Sequence, residues 1–347
     1  MMSDSWPLSI SIGVFIVAAL ATIVGSVRLA SSGDVLADRT GLGEAFFGAV
    51  FFGGMISLSG IVMTATAAFS DYPRLGFSNA IGGIAAQTAA LGAADLAYRG
   101  ANLEHAAASL SNMLFAVVLI ALLALALLVG HTSDITILGI HPGSVLLVGA
   151  YWVGLTAARQ VQAEPLWVPK RTRETVADEP EDEAAKDRST GSLWLEFLGI
   201  GLLVSAAGWA VAEASQGIVE HTGLDESVVG TVLMGLTNAM PETITSIAAV
   251  RRGALTLAVG SVLGGNSFDV LNLVVGDVAY RGGSLYHAAG LDETFVTLVT
   301  IFMTTILLGG MIRRERQGPA GIGWESVLLL VTYVAMIILI TWGVNGA

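Results

Sequence analysis

The sequence predicts an all-α integral membrane fold of ten transmembrane helices in two inverted five-helix repeats. Three observations carry this. Hydrophobic residues make up 54% of the 347 positions and charged ones 13%, with a mean hydropathy of +0.73; a soluble domain carries roughly 25% charged residues. A block of sequence also returns 182 positions downstream. Thr40-Gly41-Leu42-Gly43-Glu44 becomes Thr222-Gly223-Leu224-Asp225-Glu226, and Asp95-Leu96-Ala97-Tyr98-Arg99-Gly100 becomes Asp277-Val278-Ala279-Tyr280-Arg281-Gly282. Finally, ten apolar stretches are present, five in each copy.

A span needs about 20 mostly apolar residues. In order, the stretches that qualify are Leu8–Ala30, Leu42–Phe69, Leu75–Leu96, Ala108–Gly130 and Ile135–Ala158 in the first copy. Leu193–Ala212, Ser227–Val250, Leu255–Val278, Thr294–Ile312 and Trp324–Val344 follow in the second. Trp6, Tyr72, Tyr98, Trp194 and Trp324 fall at span ends, where amphipathic rings sit at the headgroup level. The chain divides into residues 1–160, a linker at 161–191, and residues 192–347.

Ten spans place both termini on one side, and basic residues in short loops decide which. With the termini outside, the inner loops hold Arg28, Arg39, Arg99, Arg159, Lys170, Arg171, Arg173, Lys186, Arg188, Arg251, Arg252, Arg313, Arg314 and Arg316. The outer loops then hold Arg74 and Arg281. The expected placement is a multi-pass protein of the cell membrane with both termini outside and the linker cytoplasmic. Five spans per copy is an odd number, so the second copy enters from the opposite face and the repeats are inverted.

The net charge of −12 does not describe a uniform field, because many acids bunch between Glu174 and Asp187. Together with Pro165, Pro169 and Pro180, they read as a solvated tether; a sensor of cytoplasmic cations is the sharper alternative. No cysteine is present, which excludes disulfides and thiolate metal sites. Met1 to Pro7 carry no basic run, so the first apolar segment is expected to be retained.

Ionisable groups well inside a span are expensive and usually functional. Glu242 follows Pro241 in the middle of span seven, and Asp269 follows Gly264-Gly265-Asn266 in span eight. Proline removes one helical hydrogen bond and frees a carbonyl, and oxygen ligands suit a hard cation. Asn238 lies four residues before Glu242 and Asn266 three before Asp269, each on the same helical face as its acid. Two such faces on adjacent helices can form one oxygen-lined cage. The alternative is that both acids are protonated and bond neighbouring helices. Glu196, Glu44, Glu226, Asp95 and Asp277 lie nearer span ends. His105 and His287 hold equivalent places beyond Arg99 and Arg281, where a proton relay competes with an ordinary interfacial role.

These segments carry a family likeness. Thr237-Asn238-Ala239-Met240-Pro241-Glu242 resembles the first signature of the calcium/cation antiporter superfamily, Gly-Thr-Ser-x-Pro-Glu. Gly264-Gly265-Asn266-Ser267-Phe268-Asp269 resembles the second, Gly-Ser-Asn-x-x-Asn/Asp. The likeness covers nearly the whole chain, which looks like a sodium/calcium exchanger-type protein. It implies ten helices in inverted halves, with ions held between the second, third, seventh and eighth. Carried over, Glu242 and Asp269 would be the charged metal ligands, with Asn238 and Asn266 as weaker ones; Ala239 replaces the motif Ser and offers no side-chain ligand. The first copy departs from the pattern. At the 182-residue offset Gly60 stands opposite Glu242, Ser59 opposite Pro241, Ile84 opposite Asn266 and Gln87 opposite Asp269. Gln87 still offers an oxygen, and Ser57, Ser59 and Thr64 add hydroxyls.

The resemblance therefore implies a secondary antiporter. It would exchange Ca2+ or another cation for Na+ or H+ by alternating access, with inorganic cations and the lipid bilayer as partners, no cofactor and no nucleic acid. A non-transporting or regulatory protein with a degenerate ion site is the alternative that Gly60 raises. An enzyme lacks support: no His-Glu-x-x-His occurs, and Val275-Gly276-Asp277 lacks the first Gly of the Gly-x-Gly-Asp pattern. A channel uses similar oxygens, but inverted repeats with broken central helices favour alternating access.

Overall fold

The computed structural model describes residues 6–40, 54, 57–97, 102–163, 189–252, 255–314 and 323–343. Most of these residues are helical. We label the helices α1 (Leu8–Thr40), α2 (Leu58–Phe69), α3 (Pro73–Ala97), α4 (Leu110–Gly130), α5 (Pro142–Ala163) and α6 (Thr190–Thr222). α7 (Gly235–Arg252), α8 (Leu255–Asp269), α9 (Asn272–Ala279), α10 (Leu291–Arg313) and α11 (Trp324–Trp342) complete the set. Short helical turns at Leu103–Ala107, Glu226–Val228 and Leu285–Ala288 join them. Among the described residues, six helical segments are long and apolar enough to cross a bilayer. The acidic linker, apart from its first and last three residues, lies outside the described residues, as do residues 41–53.

The repeat seen in the sequence reappears in the helix ends. α1 and α6 start and stop at positions 182 apart, Leu8 with Thr190 and Thr40 with Thr222. α3 runs from Pro73 to Ala97, and α8 with α9 runs over the equivalent Leu255 to Ala279. Hydrogen bonds repeat as well. Asp95 accepts from the backbone N–H of Leu103 at 2.7 Å and of Gly323 at 3.0 Å. Asp277, its equivalent, accepts from Leu285 at 3.0 Å and His141 at 2.8 Å. Each acid thus satisfies otherwise orphaned donors where helices begin, one in its own half and one in the other. Both are buried. The imidazoles follow the same rule: His105 lies 2.7 Å from the carbonyl oxygen of Arg314, and His287 lies 2.9 Å from that of Thr132.

Helix α3 is the central element, packed against α2, α7, α8, α10 and α11. It is buried along most of its length but falls outside the six long apolar helices, because its buried face carries Ser78, Asn79, Gln87 and Thr88 with small residues between. Small residues let helices approach closely. A β-carbon at Gly82 would lie 2.5 Å from the Thr231 Cα, and one at Gly235 would lie 2.8 Å from the Gly82 carbonyl carbon. α1 and α6 pack along one another to one side, with Trp6 edge-on to Trp209 at 6.2 Å.

Arg74, at the start of α3, ties three helix starts together. It donates to Asp225 (3.0 and 3.2 Å) and Ser227 (2.7 Å) before α7, and to Asp292 (3.3 Å) and Glu293 (3.2 and 3.3 Å) at the head of α10. Carboxylates at helix N-termini are favoured by the helix dipole. Glu226 adds a bond from the Leu75 N–H at 3.0 Å. Burial works to raise Asp225, but bonds from the Ser227 backbone and hydroxyl and the Arg74 guanidinium prevail and hold its carboxyl below the usual range. Burial pushes Glu226 up despite Leu75 and Arg74.

Several expected boundaries are corrected. The fifth span begins at Pro142 and not Ile135, because Leu138 and Gly139 adopt left-handed backbone and Ile137 pairs with Ile140 in a tight turn. The first and sixth helices each run ten residues past their expected ends, α1 from Ala30 on to Thr40 and α6 from Ala212 on to Thr222, where Gly223 closes it at φ 69°. Pro241 does not break α7, which continues through it; the irregularity is a π-helical turn at Val229–Met234. Span eight breaks after Asp269, and Gly264-Gly265 lie within the unbroken α8.

Candidate functional site

The interior polar residues gather where α2, α3, α7 and α8 meet. The break after Asp269 is built from a tightened turn in which the Leu271 N–H bonds the Phe268 carbonyl at 2.8 Å and the Leu273 N–H bonds the Val270 carbonyl at 3.1 Å. Asp269 therefore ends α8, at the pole of a helix that favours positive charge. Its counterpart Gln87 lies within an unbroken α3. Gln87 Nε2 donates to Asp269 Oδ2 at 3.1 Å, so two positions that are equivalent in the repeat touch each other. The Ser57 hydroxyl faces the same carboxylate. Asn266, one turn earlier, donates through Nδ2 to Thr88 Oγ1 at 3.0 Å, and Thr88 bonds back to the Ile84 carbonyl.

Glu242 sits one residue past Pro241 on α7, close enough to Asp269 for the two carboxylates to repel. Glu242 is only partly covered as a residue, yet its Oε2 is buried. Proline at 241 cannot donate to the Thr237 carbonyl, while Thr243 and Thr245 turn their hydroxyls onto carbonyls of their own helix. Asn238 lies one turn earlier and is buried against α2 and α3.

The site is defined by what its polar atoms lack. Gln87 Oε1, Glu242 Oε2, Asn266 Oδ1 and Asp269 Oδ1 are all buried without a hydrogen-bond partner, and so is Asn238 Nδ2. Buried polar groups are nearly always paired, and an unpaired one costs about 1–3 kcal/mol. Four unpaired acceptor oxygens from α3, α7 and α8 in one region are what a cation would satisfy. Two of the four are carboxylate oxygens, enough to balance one divalent ion.

Of the residues expected from the sequence, Glu242, Asp269, Asn266, Gln87 and Ser57 share this region. Ser59, also buried on α2, meets α6 through its backbone, where a β-carbon at Gly208 would lie 3.1 Å from the Ser59 carbonyl oxygen. Asn79 and Asn272 were not anticipated. Asn79 Nδ2 donates to the Gly60 carbonyl at 3.3 Å and to Thr64 Oγ1 at 3.0 Å, leaving its own Oδ1 free. Asn272 is fully buried and, like Ser57, faces the Asp269 carboxylate. Their spacing is the signal that finds them: Asn79, Gly83 and Gln87 recur every four residues, and Asn266, Asp269 and Asn272 every three.

The family profile described as "Sodium/calcium exchanger protein" matches residues 10–158 and 191–342. The inner membrane protein YrbG of Escherichia coli is 24% identical over 202 residues, 57% of this chain and 58% of that protein. The sodium/calcium exchanger MaX1 of Methanosarcina acetivorans is 30% identical over 135 residues, 37% of this chain and 35% of its own length. The matched stretches thus span about half the length of these curated relatives or less. Among solved structures, that of the H+/Ca2+ exchanger CAX superposes with a TM-score of 0.68 over 97% of this chain and 83% of CAX, at 12% identity, a likeness of fold.

Proposed function

The chain belongs to the sodium/calcium exchanger protein family, and from that premise we propose that it exchanges Ca2+ for Na+ or H+ across the cell membrane. The observation that carries this reading is the set of buried, unpaired oxygens on Gln87, Glu242, Asn266 and Asp269. In this reading Glu242 and Asp269 bind the cation directly, and Asn266, Gln87, Ser57 and Asn238 complete its oxygen shell. Ser59 holds α2 on α6. Two carboxylates balance one Ca2+ and leave little charge for several Na+ ions together. The equivalent hydrogen bonds of Asp95 and Asp277, each reaching into the other half, support two five-span repeats of opposite orientation. Both termini then lie outside and the acidic linker in the cytoplasm. Alternating access follows if the halves rock about the Gln87–Asp269 contact.

The test is Ca2+ uptake into proteoliposomes under an imposed Na+ or pH gradient. Wild-type protein takes up Ca2+ under at least one gradient, and Glu242→Gln reduces flux to the level of empty vesicles. Unchanged flux in Glu242→Gln sinks the assignment. Gly60, where the repeat lacks its second acid, favours one other reading, a non-transporting protein on this fold. Ca2+ binding without flux under either gradient identifies it.

A further inference from the structure

In a duplicated chain, the position equivalent to Glu242 is 60, where a glycine stands. The space beside it is not empty. A β-carbon at Gly60 would lie 2.5 Å from Asn238 Oδ1 and 2.9 Å from its Cγ and Nδ2. A β-carbon at Gly83, on α3, would lie 2.7 Å from Asn238 Nδ2. Real β-carbons do not approach other atoms so closely, so the Asn238 carboxamide fills a slot that exists because both positions are glycine. Asn238 is 3% exposed, and its Nδ2 has no partner. Asn79 bonds the Gly60 carbonyl and fixes that stretch of α2 against α3.

We propose that Asn238 is a specificity-determining residue of the cation site, reaching from the second repeat into the place of the carboxylate that the first repeat lacks. Gly60 and Asn238 are one coupled exchange: a third charge is removed from α2, and a neutral amide from α7 takes its space. An amide turned by 180° presents either its carbonyl oxygen or its N–H, so the slot keeps a ligand while losing a charge. The site then carries two negative charges, suited to one divalent ion, and loses the extra charge that would draw in Na+. This inference rests on the proposed cation-exchange reading, and it makes a packing prediction independent of that reading.

The experiment is a double-mutant cycle on the full chain. The first variants are Gly60→Ala, Asn238→Ala and the pair. Thermal unfolding in detergent without Ca2+ reads the packing. Gly60→Ala alone lowers the melting temperature by several degrees, and in the Asn238→Ala background it does not. Equal effects of Gly60→Ala in both backgrounds overturn the slot. The second set is Gly60→Glu, Asn238→Thr and the pair, read by the Ca2+-induced melting shift with NaCl as competitor. The pair folds better than Gly60→Glu alone, and Na+ competes with Ca2+ roughly tenfold more effectively than in wild type, because ligand charge count tunes cation affinity. Unchanged Na+ competition in a folded pair overturns the specificity role. A wild type that shows no Ca2+ shift, together with an intact Gly60–Asn238 coupling, refutes the exchange reading and the specificity role while leaving the slot standing.

Discussion

Asp277→Asn separates the acids that hold this fold from the acids of its site. Asp277 is fully buried; Oδ1 accepts the Leu285 N–H, and Oδ2 accepts the His141 N–H and the Ser144 hydroxyl at 2.8 Å. Asparagine keeps one oxygen and turns an NH2 group toward the other donors. One backbone hydrogen bond to a charged acceptor, about 1.5–3 kcal/mol, is lost, and the stranded donor costs about 1–3 kcal/mol more. The neutral side chain relieves the burial of a charge, which places the net loss near the low end, about 3 kcal/mol. Asp95→Asn should cost a similar amount, since its two backbone bonds are the same in kind. Denaturant titration of both variants in detergent measures this, with the Ca2+-induced melting shift recorded beside it. The expected outcome is reduced stability with the Ca2+ shift retained. A loss under about 1 kcal/mol, or a lost Ca2+ shift at unchanged stability, would refute the anchoring role.

Three further expectations follow from the geometry. Gly82→Val forces α3 away from Thr231, where a β-carbon would lie 2.5 Å from the Cα; overpacking costs about 1–3 kcal/mol, and backbone on the far side puts this site at the upper end, visible as a lower yield of folded protein and a lower melting temperature. Asn266→Ala removes one unpaired acceptor and the bond to Thr88, so Ca2+ binding should weaken roughly tenfold, the equivalent of one lost hydrogen-bonding group; isothermal titration checks it, and unchanged affinity excludes Asn266 from the site. Because the folded-state carboxyl of Asp225 lies below its usual value, its stabilising contribution is present above the unfolded value of about 3.9 and is lost as pH falls through the lower folded value. Glu226 is shifted the other way and contributes in the opposite sense. The melting-temperature advantage of wild type over Asp225→Asn should therefore hold at pH 5 to 7 and vanish in stronger acid; an advantage that grows in acid contradicts the assignment.

Much of the architecture can be read from the chain itself, for reasons that are local. Partition into a bilayer depends on how apolar a run of some twenty residues is, so α4, α6, α10 and α11 announce themselves. The duplication is a property of the string, and the shared limits of α1 and α6 follow it. The two acids stood out because charge inside a span is rare. α3 was legible as a span, but its role was not: a helix of small and polar residues becomes central only because other helices cover it.

The sequence by itself determined a duplicated membrane protein of the exchanger family, with its mid-span carboxylates, Glu242 and Asp269, in the second copy. The tertiary structure decided the rest. It placed a helix break after Asp269, joined Gln87 to its own repeat equivalent, and set Asn238 between Gly60 and Gly83. It also separated Asp95 and Asp277, satisfied by backbone donors, from Glu242 and Asp269, which keep oxygens unpaired. The physical reason is that hydropathy and spacing act along the chain, whereas the pairing of a buried polar atom depends on which distant segment packs against it. The glycine at 60 reads in the sequence as a missing acid; in the fold it is the space that Asn238 occupies.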